Sequence, residues 1–519
     1  MDKDQVPIEE AINRAGFGLY SHIMTCLAGV AIISFACIGY GSTILVPASA
    51  CELETTASQQ GLLAAAPVVG SIIGVVLWGY LADTRGRRNM LLIALLGGAL
   101  VNSIASISVN WIMLMVLQFC ASTFASGLFS MAMSLLSESV PMVKRNLVVL
   151  LVSSIFLLSQ GIMAVLAIPV IPLSFSIYLP SLGIYWNSWR TLVVVYSLPS
   201  LLSAVWLFFM KESPKFVFSQ GDEQRTLEIL RTIHRINHLR TGKVLEVNSI
   251  LKEEVKQEQS TEKQSQIVPL FRAPLLKYTI IMTLLLMFQQ IGAFVVWLPT
   301  VANQFVTIIQ TGEGADLSLC GIIREGINAP IDPDAVPCAL NITALLMVFG
   351  VGALQSIVNL FLSIIVNKVG RRNIVCAVAL VCGVSGIIVN LVPNAIGSAV
   401  MFVVMLQGIV VLGMYTAMIV ALFPTQYRAI AIAIPLMGGR IATFASIQIL
   451  NLMLNSSCEA GFYLYASIFT TSAIIASFLP DDRRLQPPPQ VASEPEPTKL
   501  DARPSEEKTK EFHSTMSQL

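Results

Sequence analysis

An arginine in the middle of an apolar helix has few places to put its charge. Arg440, in Gly438-Gly439-Arg440, lies near the centre of a hydrophobic run over 429–453. A guanidinium there costs about 2.5–3.5 kcal/mol on insertion scales. It must therefore face a water-filled cavity, a polar partner or a bound anion. Two readings stand: it bonds carbonyls and amides of its own half, or it contacts a polar or anionic solute. Gln160, Gln289 and Gln290 are uncharged amides within apolar runs. Each offers two donors and an acceptor, which suits the hydroxyls or carboxylates of a solute, and suits hydrogen bonding between helices equally. Trp297 and Tyr415, with Trp78 and Phe294, are candidates to line the same cavity or to pack.

A second set of residues could do electrostatic work. Gly79-Tyr80-Leu81-Ala82-Asp83-Thr84-Arg85-Gly86-Arg87-Arg88 lies between two long apolar runs, so its charges sit on a very short loop. The pattern recurs, degraded, at Ser363–Arg372, where Asn367, Arg371 and Arg372 stand between two further apolar runs. Glu138 closes another run within reach of the first hairpin, with Arg145 just beyond it, and Arg428 follows a later run. An acid beside paired arginines can form an ion pair that breaks and reforms as helices rock. The plainer reading is a static surface pair, worth about 0–1 kcal/mol.

Other chemistry is missing. The sequence shows no His/Cys/Asp/Glu cluster with metal spacing, no phosphate-cradling loop and no nucleophile–base arrangement. No enzyme, cofactor or resident metal is expected, and an ATP-driven pump is unsupported. Proton coupling usually needs an acid inside the membrane; none of the apolar runs has one away from its ends.

The elements that hold these residues follow from composition. The chain has 519 residues, 12% charged and 55% hydrophobic, with a mean hydropathy of +0.73, outside the range of soluble domains. Its net charge of +1 gives no reason to expect nucleic acid as a partner. Since a spanning helix needs about 20 apolar residues, the pattern predicts twelve, near 22–45, 60–82, 89–109, 111–135, 147–170, 190–210, 276–299, 342–366, 374–391, 396–421, 429–453 and 461–480. The expected fold is all-α and membrane-embedded: two pseudo-symmetric six-helix bundles over 21–210 and 275–480. A polar N-terminal segment (1–20) without a cleavable signal pattern, a linker (211–274) and a disordered, Pro-rich tail (481–519) complete the chain. Helical spacing of Leu227, Leu230, Ile233 and Ile236 predicts an amphipathic helix over Asp222 to His238, and Leu245 to Val255 is a candidate for another. Lys and Arg fall in the short loops after spans 2, 4, 8 and 10 and are absent after 1, 3, 5 and 9, which puts both termini in the cytoplasm. Trp189-Arg190 suits a headgroup boundary.

Cys51, Cys320, Cys338 and Cys458 fall in loops on the opposite, oxidising side. Four cysteines allow three pairings; Cys320–Cys338 with Cys51–Cys458 is the preferred one. Asn341 and Asn455 head glycosylation sequons on that side.

The hairpin Gly79–Arg88 matches the Gly-x-x-x-Asp-x-x-Gly-Arg-Arg signature of the major facilitator superfamily at every fixed position. Glu138-Ser-Val-Pro141 with Arg145, Trp189-Arg190 and Glu212-Ser-Pro-Lys215 resemble its sugar-porter and organic-ion-porter branches. Ala15-Gly-Phe-Gly18, Trp297-Leu-Pro299 and Gly439-Arg440 resemble synaptic vesicle glycoprotein 2-related members, of the divergent sort common in insects. The resemblance implies alternating access to a central site, with Asp83, Gly86, Arg87 and Arg88 latching the cytoplasmic side and Glu138 as ion-pair partner. It departs from the pattern at Asn367, Ala421 and Gln118, and at the pair Gln289-Gln290, which lacks the following Asn of sugar porters. The expectation is a monomeric transporter of a small polar or anionic organic solute, in the plasma membrane or a vesicle membrane, without built-in proton coupling. The alternative is a non-transporting, receptor-like vesicle protein with a partner for its tail.

Overall fold

The computed structural model describes residues 5–239, 245, 247, 249–251, 268–273, 275–289, 291–311, 316–328, 341–423 and 428–480. Among them, twelve helical runs are long and apolar enough to cross a membrane. In order these are spans 1 to 12: Leu19–Ser49, Ala57–Arg85, Arg87–Ala105, Trp111–Ser139, Met142–Ala167, Ser188–Phe208, Leu275–Val306, Ile342–Val366, Arg371–Ile388, Ala395–Ile419, Ala431–Leu454 and Cys458–Ser477. The chain is thus an integral, multi-pass membrane protein.

Span-to-span packing repeats between the halves. Span 3 packs on span 6 as span 9 does on span 12; spans 5 and 6 flank span 1 as spans 11 and 12 flank span 7. Between bundles, span 2 meets span 11 and span 5 meets span 8, contacts that exchange under a two-fold operation. At the second of these, a Cβ on Gly352 would come within 3.0 Å of the Gly161 backbone nitrogen. Two glycines facing each other let these helices touch backbone to backbone.

Four spans are interrupted near mid-membrane. Span 1 divides into Leu19–Gly39 and Ser42–Ser49, span 4 into Trp111–Ala125 and Leu128–Ser139, and span 7 into Leu275–Phe288 and Ile291–Thr311. In span 10, a 3₁₀ stretch Gln407–Val410 separates Ala395–Leu406 from Val411–Leu422. These are the first and fourth helices of each bundle. Freed backbone groups at membrane depth survive only where protein buries them or water reaches them, so the breaks mark where the bundles face their common interior.

The two charged hairpins share one backbone. Gly86 (φ +98°) ends span 2 and begins span 3; Gly370 (φ +87°) ends the helix Ile342–Val369 and begins span 9. Both occupy the left-handed region that glycine alone visits cheaply. At this end of the first bundle, helices Ile8–Ala15, Pro214–Ser219 and Glu223–Asn237 form a cap. The expected amphipathic helix is present, burying Leu227, Leu230 and Ile233. Of the candidate helix over Leu245 to Val255, residues 246, 248 and 252–255 lie outside the described ones, and Ser249–Ile250 is a strand paired in parallel with Gln5–Val6. Between spans 5 and 6 an antiparallel pair, Ile177–Leu179 with Ile184–Trp186, was not signalled by the hydropathy pattern.

The cysteine pairing differs from expectation. Cys320 is bonded to Cys458, with Cα atoms 5.7 Å apart. Helix Leu319–Asn328 lies over the start of span 12, a proximity that loop spacing does not encode. Cys51 is also disulfide-bonded, and Cys338 lies outside the described residues. Trp189 and Arg190 are likewise not boundary anchors, being only 2% and 1% exposed. Glu52 accepts from Arg190 Nη2 at 2.7 Å and from Trp189 Nε1 at 2.5 Å, while Arg190 Nη1 donates to the carbonyls of Ser106 and Ser108. A buried guanidinium persists only when paired and hydrogen-bonded in this way.

Candidate functional site

Arg440 reaches across the bundle boundary: its Nη1 donates to the Ser71 carbonyl of span 2 at 2.8 Å. A guanidinium has five N–H donors, and this is its one described protein hydrogen bond. The side chain lies deep in the molecule and remains partly accessible. Close enough to couple to it electrostatically is Tyr40, at the break of span 1, equally deep and 39% exposed. Both residues are thus enclosed by protein atoms and still keep accessible surface. Gly438 and Gly439, the neighbours of Arg440, face span 7: added Cβ atoms would meet Thr283 and the Leu286 carbonyl at 3.0 and 3.1 Å. Close packing of span 7 thus fixes how Arg440 is presented.

Tyr40 belongs to an aromatic wall from spans 1, 4 and 5. Its ring centroid is 5.6 Å from that of Phe35 and 6.4 Å from that of Phe156, and Phe156 lies 5.4 Å from Phe129. None of these four was singled out from sequence, because an aromatic in an apolar span reads as packing. Gln160 joins the same region, donating from Nε2 to Thr43 Oγ1 at 3.2 Å and tying span 5 to the second segment of span 1.

The other amides serve the breaks. Gln289 Nε2 donates to the Gly408 carbonyl at 2.8 Å, so a residue at the break of span 7 adds a second donor to a carbonyl of the 3₁₀ stretch of span 10 that also accepts from Val411 N–H. Gln355 Nε2 donates to the neighbouring Leu406 carbonyl at 3.3 Å. The oxygens of Gln289 and Gln407 are buried without a described partner. Trp297 is 8% exposed in the core, and its Nε1 has no described acceptor. Tyr415 is fully buried among Leu285, Met418 and Phe423 rather than facing the interior space. Trp78 packs inside the first bundle, donating to the Thr123 carbonyl. Gln290 and the side chain of Arg428 lie outside the described residues. Asn341 caps the helix Ile342–Val369, accepting from Thr343 N–H at 2.9 Å; the Asn455 side chain is not described.

At the hairpin, the two arginines diverge. Arg87 Nη2 lies 3.1 Å from Glu138 and 3.6 Å from Asp83, and Ser213 Oγ also donates to Glu138. Arg88 turns to the end of span 6, donating to the carbonyls of Leu207 and Phe208. Glu212, which the sequence marked only as part of a motif and gave no role, accepts from the N–H groups of Arg88 and Ser213 at 2.9 and 3.0 Å and so caps the start of span 3. Arg145 does not join the hairpin. It pairs at 2.9 Å with Glu9 of the N-terminal helix, which Lys215 also contacts. Burial raises the Glu9 carboxyl, but the hydrogen bonds and charges of Arg145 and Lys215 outweigh it and hold the group below the ordinary carboxylate value. In the second hairpin Arg372 donates to the Leu479 carbonyl beyond span 12.

Several known proteins are similar to this chain. The protein svop-1 of Caenorhabditis elegans is 27% identical over 240 residues, 46% of this chain and 44% of that one. The synaptic vesicle 2-related protein of Bos taurus is 27% identical over 230 residues, 44% and 39% of the two chains. These matches span less than half the length of either relative. The human protein SVOPL is 24% identical over 490 residues, covering 91% of both chains. Among solved structures, the partially occluded inward-open xylose transporter XylE from E. coli superposes with a TM-score of 0.62 at 17% identity, covering 89% of this chain and 100% of XylE; at that identity the likeness is one of fold. A family-wide profile described as Major Facilitator Superfamily matches residues 29–322 and 337–514. With its hairpins, broken spans and two-fold packing accounted for, the chain belongs to the major facilitator superfamily.

Proposed function

We propose that this protein moves a small organic solute, polar or anionic, across its membrane by alternating access, with the space between Tyr40 and Arg440 as the binding site. One observation carries the reading: a deep, accessible guanidinium that spends one of its donors on a described protein acceptor, at Ser71. The donors left over suit a carboxylate or other oxyanion, and the wall of Phe35, Tyr40, Phe129 and Phe156 suits the organic body attached to it. The hairpin end is the cytoplasmic one on the distribution of Lys and Arg. There Asp83, Arg87 and Glu138 act as a latch, with Gly86 and Arg88 holding its backbone. No span carries an acid away from its ends, which favours transport without built-in proton coupling.

The test is flux in proteoliposomes against a panel of organic anions, cations and neutral polyols. Anions should move and Arg440→Ala should abolish their transport; undiminished flux in a well-folded variant refutes the central role of Arg440. The degraded second hairpin, with Asn367 in place of an acid, favours a second reading: a receptor-like vesicle protein. No flux for any solute, together with a binding partner that requires the tail, would establish that reading instead.

A further inference from the structure

A cavity of about 290 Å³ opens on the outer side of the first bundle at the hairpin end. Its walls include Arg88, the exit of span 6 (Phe208, Phe209, Lys211) and Arg225 of the helix Glu223–Asn237. Two acids also line it, Glu212 and Glu228, so cations outnumber acids by three to two. The charges are not equally available. Glu212 already accepts two backbone N–H groups, and the Arg88 guanidinium donates to helix-end carbonyls. Among the described residues, neither Lys211 nor Arg225 makes an ion pair through its side chain, and both are exposed.

Position in the membrane makes this charge informative. Phe208 and Phe209 are 64% and 73% exposed, perpendicular to one another with centroids 5.7 Å apart. They close a spanning helix, so their exposed apolar rings sit at its apolar edge. Lys211 and Arg225 therefore lie just beyond the apolar edge, at the depth of lipid phosphates, where clustered cations bind anionic headgroups.

We propose that this cavity holds the phosphate-bearing headgroup of an anionic phospholipid, whose acyl chains run down past Phe208 and Phe209. Lys211 and Arg225 supply the charge. Arg88 and Glu212, in the same wall, connect the headgroup to the backbone of the Gly86 hairpin, so lipid occupancy stabilises the hairpin geometry. The site is separate from the interior space and does not depend on what the protein transports.

The experiment counts lipids retained by the purified full-length protein in native mass spectrometry after exposure to phosphatidylglycerol or phosphatidylcholine. Phosphatidylglycerol should be retained preferentially, and Lys211→Gln with Arg225→Gln should weaken its retention by about fivefold per charge removed. A control on the same helix but outside the cavity, Arg231→Gln with Arg235→Gln, should leave retention unchanged. Equal retention of the two lipids, or an equal loss in the control, overturns the proposal. A parallel arm titrates inorganic phosphate in detergent. Stabilisation by phosphate that the Lys211/Arg225 variant abolishes, without selective lipid retention, would assign the site to a soluble phosphate and overturn the lipid assignment.

Discussion

Arg88 and Arg372 occupy equivalent places in the two hairpins, and each binds the carbonyl end of the last helix of its own bundle. Arg88 donates to Leu207 at 3.3 Å and Phe208 at 2.7 Å; Arg372 donates to Leu479 at 3.1 Å. The final carbonyls of a helix have no N–H partner within it, and a cation there opposes the helix dipole. Hydrogen bonds to charged groups are worth about 1.5–3 kcal/mol. Arg88→Gln and Arg372→Gln should each lower the melting temperature in detergent, with lysine restoring only part because it lacks the planar fork. A lysine variant as stable as the parent would show that charge alone matters.

Arg87 has two acidic neighbours of unequal weight. Glu138 is closer, at 3.1 against 3.6 Å, and its side chain is 16% exposed where that of Asp83 is 75% exposed. An exposed pair contributes about 0–1 kcal/mol, and a shielded one more. Glu138→Gln should therefore shift the inward–outward equilibrium further than Asp83→Asn, read as the reactivity of a cysteine introduced into the interior space. The reverse order would move the latch to Asp83.

Gly86 and Gly79 lie on the same hairpin and should respond oppositely to alanine. At Gly86 the backbone is left-handed, and an added Cβ would approach Glu212 Oε2 to 2.6 Å. Alanine there should destabilise by at least about 1–2 kcal/mol. Gly79 is helical with nothing within 4 Å, and alanine should stabilise it by up to about 1 kcal/mol. Thermal unfolding of the two variants side by side checks both signs.

Glu9 makes docking of the N-terminal helix depend on pH. Its carboxyl is held below the ordinary value of 4.5, so the folded state favours the ionised form. The contribution is complete above the unfolded value and is lost as pH falls through the folded one. Protection of residues 8–15 against hydrogen exchange, taken relative to the intrinsic rate at each pH, should be high near neutrality and fall below pH 4.5, and Glu9→Gln should be weakly protected at both. Protection that stays unchanged as the pH falls well below 4.5, or that Glu9→Gln leaves intact at neutrality, would contradict this ion-pair account.

Peptide mapping under non-reducing conditions should recover one cross-linked species joining the peptides of Cys320 and Cys458. Recovery of a peptide linking Cys320 to Cys338 would restore the pairing expected from loop spacing.

Much of the architecture is written locally and was therefore readable. Apolar runs give the spans, and Gly86 and Gly370 announce a backbone that ends one helix and starts the next. Arg440 stands out because charge at membrane depth is costly. What sequence could not give depends on distant segments meeting. Glu9 and Glu212 are ordinary acids until folding brings them to Arg145 and to the start of span 3. Tyr40 and Phe156 became wall residues only once the break in span 1 was seen. The role of Gln289 stayed open between solute and interhelical hydrogen bonding for the same reason: its acceptor, Gly408, belongs to a distant span.

Parallel pairing of Gln5–Val6 with Ser249–Ile250 has a mechanical consequence. With Asn237 hydrogen-bonded to Ala15 and Gly16, it fastens the polypeptide as far as Leu251 to the first bundle. If the halves rock as proposed, that length travels with the first of them as ballast, not as tether. A severed chain should then reassemble into a working whole only if the cut falls beyond Leu251.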